Sequence, residues 1–169
     1  LFPDAKTYSF PPLAMHFLWN KLHILNVERL TGDIDVYHSS DWTQGPSNAK
    51  KVTTIHDLAP FLYPAETSPQ IVSVHTARLR WVVKECDAVI CVSKNTQDDL
   101  HRLFPETQNR TTVIPEALPS RFLLSPSTPS SQAHYVLTIG ARQPRKNIIR
   151  LIKSYMTYRT KYSLPEKLI

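Results

Sequence analysis

Five short apolar runs rich in β-branched residues recur along the chain: Ile34–His38, Val52–His56, Ala88–Val92, Thr112–Ile114 and Tyr135–Ile139. They are nearly continuous rather than alternating, as strands are when both faces of a parallel sheet are covered. Between them lie helical patterns over roughly Leu13–Ile24, Pro69–Cys86, Lys94–Leu103 and Lys146–Thr160. Pro69 suits a first helical turn. Ser93, placed between a strand and a helix, suits an N-cap. Strand–helix–strand alternation of this kind predicts an α/β fold with a parallel sheet.

One stretch breaks the alternation. Ser125-Pro126-Ser127-Thr128-Pro129-Ser130-Ser131-Gln132 reads as a linker. The expected organisation is therefore a first domain over 1–122, a Ser/Pro linker over 123–133, and a fresh βα unit over 134–169. Leu164-Pro165-Glu166-Lys167-Leu168-Ile169 reads as a turn entering a further apolar strand. With no initial Met, the expectation is a fragment cut at both ends.

Glycine usage narrows the chemistry. The 169 residues hold only 3 Gly, at positions 32, 45 and 140, where the usual ~7% would give about twelve. A GxGxxG fingerprint needs three clustered glycines and a P-loop two. Neither can exist here, so a phosphate site must use helix N-termini and basic side chains.

The formal net charge is +6 and the pI about 9.4, which suits an anionic partner: nucleic acid, an acidic membrane surface or a phosphorylated small molecule. The basic residues form no run or aromatic-interleaved stripe. Cys86 and Cys91 sit in apolar context and read as buried thiols of a reducing compartment, which implies a cytoplasmic protein. They give no zinc spacing with the seven histidines.

Ligands of open parallel sheets bind at the carboxyl ends of strands. Three segments fit. Val52-Thr53-Thr54-Ile55-His56-Asp57 ends a strand in His56, which could position or donate to a polar substrate group; the alternative is a structural His-Asp turn. His38, Ser39 and Asp41 follow a neighbouring strand beside Trp42, a combination suited to sugar binding or to an ordinary loop. Ile139-Gly140 followed by Pro144-Arg145-Lys146-Asn147 forms a basic loop opening a helix. There Gly140 allows close backbone approach while Arg145 and Lys146 meet free N–H groups, as a diphosphate cradle or as a solvated helix start. Asp33-Ile34-Asp35 has metal-motif spacing but precedes its strand, at the wrong edge; no metal site is expected. Helix 69–86 reads as a core helix with a basic exposed rim of Arg78, Arg80 and Lys84, open to a peripheral contact with the inner face of the cell membrane.

Five pieces in order resemble the family 4 glycosyltransferases of the GT-B fold. They are Asp35-Val36-Tyr37-His38-Ser39; Thr54-Ile55-His56-Asp57-Leu58 with Tyr63-Pro64-Ala65-Glu66; Asp87-Ala88-Val89-Ile90-Cys91-Val92-Ser93 with Gln97-Asp98-Asp99-Leu100; Val113-Ile114-Pro115 with Phe122; and Ile139-Gly140 with Pro144-Arg145-Lys146-Asn147. The mannosyltransferase-like branch, with its Pro-Arg-Lys-Asn loop, is the most similar. The resemblance implies two Rossmann-like domains. Here these would be a partial N-terminal, acceptor-side domain and the first βα unit of a nucleotide-sugar donor domain, with the active site in the interdomain cleft.

It further implies a retaining, metal-independent transfer from a UDP- or GDP-linked sugar to a glycan or lipid-linked acceptor, the nucleotide-sugar being a substrate, with no cofactor. His56 would lie near the transferred sugar, and Arg145 and Lys146 would neutralise the leaving diphosphate, with Gly140 letting the loop close. His38, Ser39 and Asp41 would fall on the acceptor side. Three departures stand out. Glu116-Ala117-Leu118-Pro119 replaces the family's Asn-Gly-Val-Asp, the Gly-rich N-terminal loop is absent, and so is the pair of glutamates eight apart that grips the donor. On that reading the chain alone is inactive. The rivals are a nucleotide-sugar epimerase of the same fold and a basic nucleic-acid-binding domain.

Overall fold

The computed structural model describes residues 7–119, 134–140 and 144–169, the Arg145 side chain excepted. Phe122 and the expected linker over 123–133 lie outside the described residues. Two compact units emerge. One holds the residues up to Pro64 together with Ser68–Glu116; the other holds Ala65–Thr67 and Ala117–Ile169.

The first unit is built on a four-stranded sheet of β1 (Val36–Ser39), β2 (Lys50–Ile55), β3 (Ala88–Cys91) and β4 (Thr111–Val113), ordered β1-β2-β3-β4. Every pairing is parallel, with Val36 beside Lys50, Val52 beside Ala88 and Val89 beside Thr111. The α/β class and the parallel sheet are as the sequence predicts. The helices are α1 (Pro12–Met15), α2 (Glu28–Thr31), α3 (Ala59–Leu62), α4 (Pro69–Glu85) and α5 (Lys94–Leu103).

Local chemistry explains the ends. The Ser68 side chain accepts from the Ile71 N–H and caps α4, with Pro69 in its first turn. Ser93 accepts from the Thr96 N–H and caps α5. The predicted helix over Leu13–Ile24 is α1 continued by a π-helical segment, His16–Leu22, which closes at His23 with φ at 55°. Gly45 is required by packing, because a Cβ there would lie 2.8 Å from the Trp19 ring.

The core lies on one face of the sheet. Ile55, Val89 and Cys91 pack with Leu79 and Val82 of α4, Cys86 just beyond it, and Leu100 of α5. Each large aliphatic side chain buried this way contributes ~1.5–3 kcal/mol. The expectation of strands covered on both faces holds for one face only. Burial alternates along β2 and β3: Thr53, Ile55, Val89 and Cys91 are buried, while Val52, Thr54, Ala88 and Ile90 are partly covered.

The second unit is a βαβ element: β5 (Tyr135–Val136), α6 (Ile148–Tyr162) and β6 (Lys167–Leu168), the strands parallel. The expected terminal strand is β6. The predicted strand Tyr135–Ile139 shortens to its first two residues, though the Thr138 N–H still bonds the Ile169 carbonyl at 2.8 Å. No described residue of this unit is fully buried, and Ile149, Ile152, Met156 and Tyr158 of α6 are exposed.

Candidate functional site

Because all four strands of the first unit run the same way, their carboxyl ends share one edge. That edge carries Ser40 and Asp41 after β1, His56 and Asp57 after β2, Val92 and Ser93 after β3, and Ile114 to Glu116 after β4. Backbone bonds hold its rim: the Ile114 N–H donates to the Cys91 carbonyl at 3.0 Å, and the Val92 N–H to that of Ile55 at 3.4 Å.

His56 is the best-placed acid–base group on this edge. Its side chain is 49% exposed, and Nδ1 lies 2.8 Å from Oε1 of Glu116. Its carbonyl accepts from the Thr96 hydroxyl at 3.2 Å, tying β2 to the start of α5. Asp57 is turned to local structure, accepting the Ala59 N–H at 2.9 Å. In the sequence Glu116 stands out only as part of a departure from the family turn. Strand order carries the missing signal, since residues just past β4 reach the edge where His56 stands.

The acceptor-side trio divides. Successive strand residues point to opposite faces. His38 lies on the open face, where Nε2 meets the Thr54 hydroxyl at 3.0 Å. Ser39 points inward, is buried, and donates to the Thr53 hydroxyl at 2.8 Å. Asp41 joins Ser39 in a network centred on Arg78.

Arg78 corrects the exposed-rim expectation for α4, because it is only 2% exposed. Its guanidinium donates to the Ser40 carbonyl at 3.0 Å, Asp41 Oδ1 at 3.3 Å, the Thr53 hydroxyl at 2.5 Å and the Thr54 carbonyl at 3.2 Å. Burial pushes its pKa below the usual value and Asp41 opposes that. A buried charge is tolerated only when its donors are satisfied. The donors clamp the ends of β1 and β2 together. Arg80 and Lys84 do lie on the exposed side, each over the Trp81 ring at 4.9 Å.

Next to Asp41 the Trp42 ring is 53% exposed and packs at 5.1 Å from His75. Burial lowers the His75 pKa, helped by Arg78 and opposed by Asp41 and Asp57. Trp42 also forms one wall of a cavity of about 360 Å³, together with Leu13, Met15, Ile71 and Val74. A wider groove of about 800 Å³ runs along the outer side of α4, lined by Lys21, Arg80 and Lys84 with Phe61 and Phe104.

In the second unit, Pro144–Lys146 forms a 3-10 turn and Asn147 takes a left-handed conformation before α6. Among the described residues no side chain caps α6, and the first N–H groups of an α-helix have no partner within the helix. Lys146 is exposed. The Arg145 side chain lies outside the described residues. Among the described residues a Cβ at Gly140 would meet Ile148 Cδ1, at 4.0 Å. Among the described residues no three His, Cys, Asp or Glu side chains gather as a metal site. Nor is any described helix long and apolar enough to cross a membrane.

Comparison with known proteins places this edge in context. The profile described as Glycosyltransferase Family 4 matches residues 2–119, a span that contains the whole four-stranded sheet. The O-antigen chain mannosyltransferase RfbU of Salmonella typhimurium (strain LT2) is 25% identical over 119 residues, which cover 70% of this chain and 32% of that protein. The chain thus matches about a third of the length of its curated relative.

Proposed function

The chain belongs to glycosyltransferase family 4, and on that premise we propose that it takes part in transferring a sugar from a nucleotide-diphosphate donor, UDP- or GDP-linked, to a glycan or lipid-linked acceptor. The observation that carries this reading is the His56–Glu116 pair at the carboxyl edge of the sheet, where α/β enzymes hold their ligands. The first unit supplies the acceptor side and the second the donor side.

In the reaction the bond from the sugar's anomeric carbon to the diphosphate breaks and a bond to an acceptor hydroxyl forms. The hydroxyl proton is released and the negative charge stays on the nucleoside diphosphate. His56, held through Nδ1, presents its other nitrogen to a polar group of the sugar. Lys146 and Arg145, beside the uncapped start of α6, neutralise the leaving diphosphate, and Gly140 permits backbone approach. The transfer is retaining and needs no metal. The protein works in the cytoplasm, and the groove of Lys21, Arg80 and Lys84 makes a peripheral contact with the inner membrane face.

The experiment is transfer of radiolabelled sugar from UDP- or GDP-sugars to an exogenous acceptor by the full-length protein. Label in the acceptor, with kcat falling at least ~10²-fold in His56→Ala, is the expected result. Label recovered only in an epimerised nucleotide-sugar overturns it.

A further inference from the structure

A second imidazole stands on the carboxyl edge, and the chemistry above leaves it unused. Helix α4 runs from that edge back toward the amino edge. Arg78 reaches the Ser40 and Thr54 carbonyls at the carboxyl ends of β1 and β2, and further along the helix Glu85 meets Lys51 near the start of β2. His75 precedes Arg78 by three residues, so it shares the helix face of Arg78 and stands nearly one turn closer to the open side of the edge. The Trp42 ring, which follows β1, lies 5.1 Å from it.

His75 differs from its counterparts in hydrogen bonding. Every other described histidine of the first unit has a polar partner: His16 the Asn20 amide, His23 the Trp19 carbonyl, His38 the Thr54 hydroxyl, His56 the Glu116 carboxylate and His101 the Thr111 hydroxyl. His75 is partly buried and, among the described residues, has the Trp42 ring beside it but no hydrogen-bond partner. A nitrogen of its ring is free to accept a proton or a hydrogen bond from a ligand at the edge.

The surroundings suit proton uptake. Burial holds the ring below the ordinary histidine value of 6.5, helped by Arg78, which favours the unprotonated form. Asp41, past β1, and Asp57, past β2, pull the other way and stabilise the cation once it forms.

We propose that His75 is the catalytic base of the transfer, taking the proton of the acceptor hydroxyl as that oxygen bonds the anomeric carbon. The electron pair of the breaking carbon–oxygen bond leaves on the nucleoside diphosphate, and the imidazolium later returns the proton to solvent. This rests on the glycosyl-transfer reading and gives a destination to the proton that reading releases. His56, held by Glu116, keeps its place beside the transferred sugar.

The test compares full-length wild type with His75→Ala and His75→Gln in transfer of label from UDP-glucose or GDP-mannose to an exogenous acceptor. Both variants should lose kcat at least ~10²-fold with little change in donor KM. Glutamine keeps a hydrogen-bonding group of similar size but takes up no proton, so it would rescue an orienting role and not a base. Wild-type kcat should fall as pH drops through the ring's pKa, below 6.5, because the base acts unprotonated. That acid limb should vanish in both variants. Thermal melting identifies the variants that fold, and glutamine, closer in volume, carries the test where alanine does not.

A folded variant that keeps kcat, as it would if the departing diphosphate took the proton, overturns the proposal, and so does an acid limb unchanged in either one. Transfer that survives the loss of His75 removes the base and leaves the transferase. A wild type that transfers no label removes the transferase reading itself.

Discussion

Nδ1 of His56 and Oε1 of Glu116 stand 2.8 Å apart, although one residue follows β2 and the other follows β4. The strand between them, β3, spaces the two loops so that the side chains meet over its end. A carboxylate in that position fixes the ring's orientation and assigns the proton to Nδ1. Glu116→Ala in the full-length enzyme should lower kcat about tenfold with little change in donor KM, and Glu116→Gln should lose less. Steady-state kinetics on both variants check this; an unchanged kcat for the alanine variant removes Glu116 from the machinery.

Arg78 should behave as a structural clamp. Its loss removes the guanidinium donors to two carbonyls and Asp41, and leaves the Thr53 hydroxyl with Ser39 alone as donor. Removing one member of a buried charged network costs about 3–5 kcal/mol. Arg78→Met should therefore destabilise the chain by about 3 kcal/mol. Arg78→Lys should recover only part of this, since an ammonium lacks the planar fork. Urea denaturation of the two variants measures both.

The thiols should be silent in the folded state. Burial pushes Cys86 up to about 12 and Cys91 up to about 11, and the thiolate is the reactive species. A disulfide-exchange reagent at mildly alkaline pH should label neither cysteine in the native chain and both after denaturation. Fast labelling of the native protein would contradict the packing described.

Glu28 sets part of the acid response. The Ser47 hydroxyl, with the Asn48 and Ala49 N–H groups, holds its carboxyl below the ordinary value of 4.5. A depressed carboxyl stabilises the fold above its unfolded pKa, and that contribution is lost as pH falls through the folded one. Glu28→Gln should thus reduce stability at neutral pH and flatten its decline below pH 4.5, read from denaturation curves across the acid range.

Gly140 separates folding from function. Since among the described residues a Cβ there meets nothing closer than 4.0 Å, Gly140→Ala should leave the melting temperature unchanged. If backbone approach to the diphosphate matters, the same variant should raise donor KM in the full-length enzyme. Lys146→Ala should raise donor KM and also lower kcat.

The parts of the fold that obey local rules could be read from the sequence. Ser93 and Pro69 marked helix starts, and the β-branched runs marked β1 to β4. Helix α5 spans the predicted Lys94–Leu103 residue for residue. What failed needed long-range information. Arg78 looks like rim chemistry beside Arg80, yet helical spacing places it with Ile71, Val74 and Val82 on the inner stripe. Only the polar ends of β1 and β2 make that position tolerable. Ser39 and His38 looked equivalent as neighbours, and strand alternation parted them. Glu116 carried no local signal, because its meaning lies in strand order.

The register also dictates an order of assembly. Val36 reaches Lys50 across a single loop, whereas Val52 reaches Ala88 only after α3 and α4 have been traversed. Closing the shorter loop costs less entropy, so β1 and β2 can meet first on a nascent chain. Arg78, which is synthesised later, on α4, adds donors to both carboxyl ends beside the Ser39–Thr53 and His38–Thr54 bonds. The Arg78 clamp is therefore a late addition to the carboxyl edge of the parallel β1–β2 pair. A chain that ends before residue 78 lacks the guanidinium that fastens the Ser40 and Thr54 carbonyls.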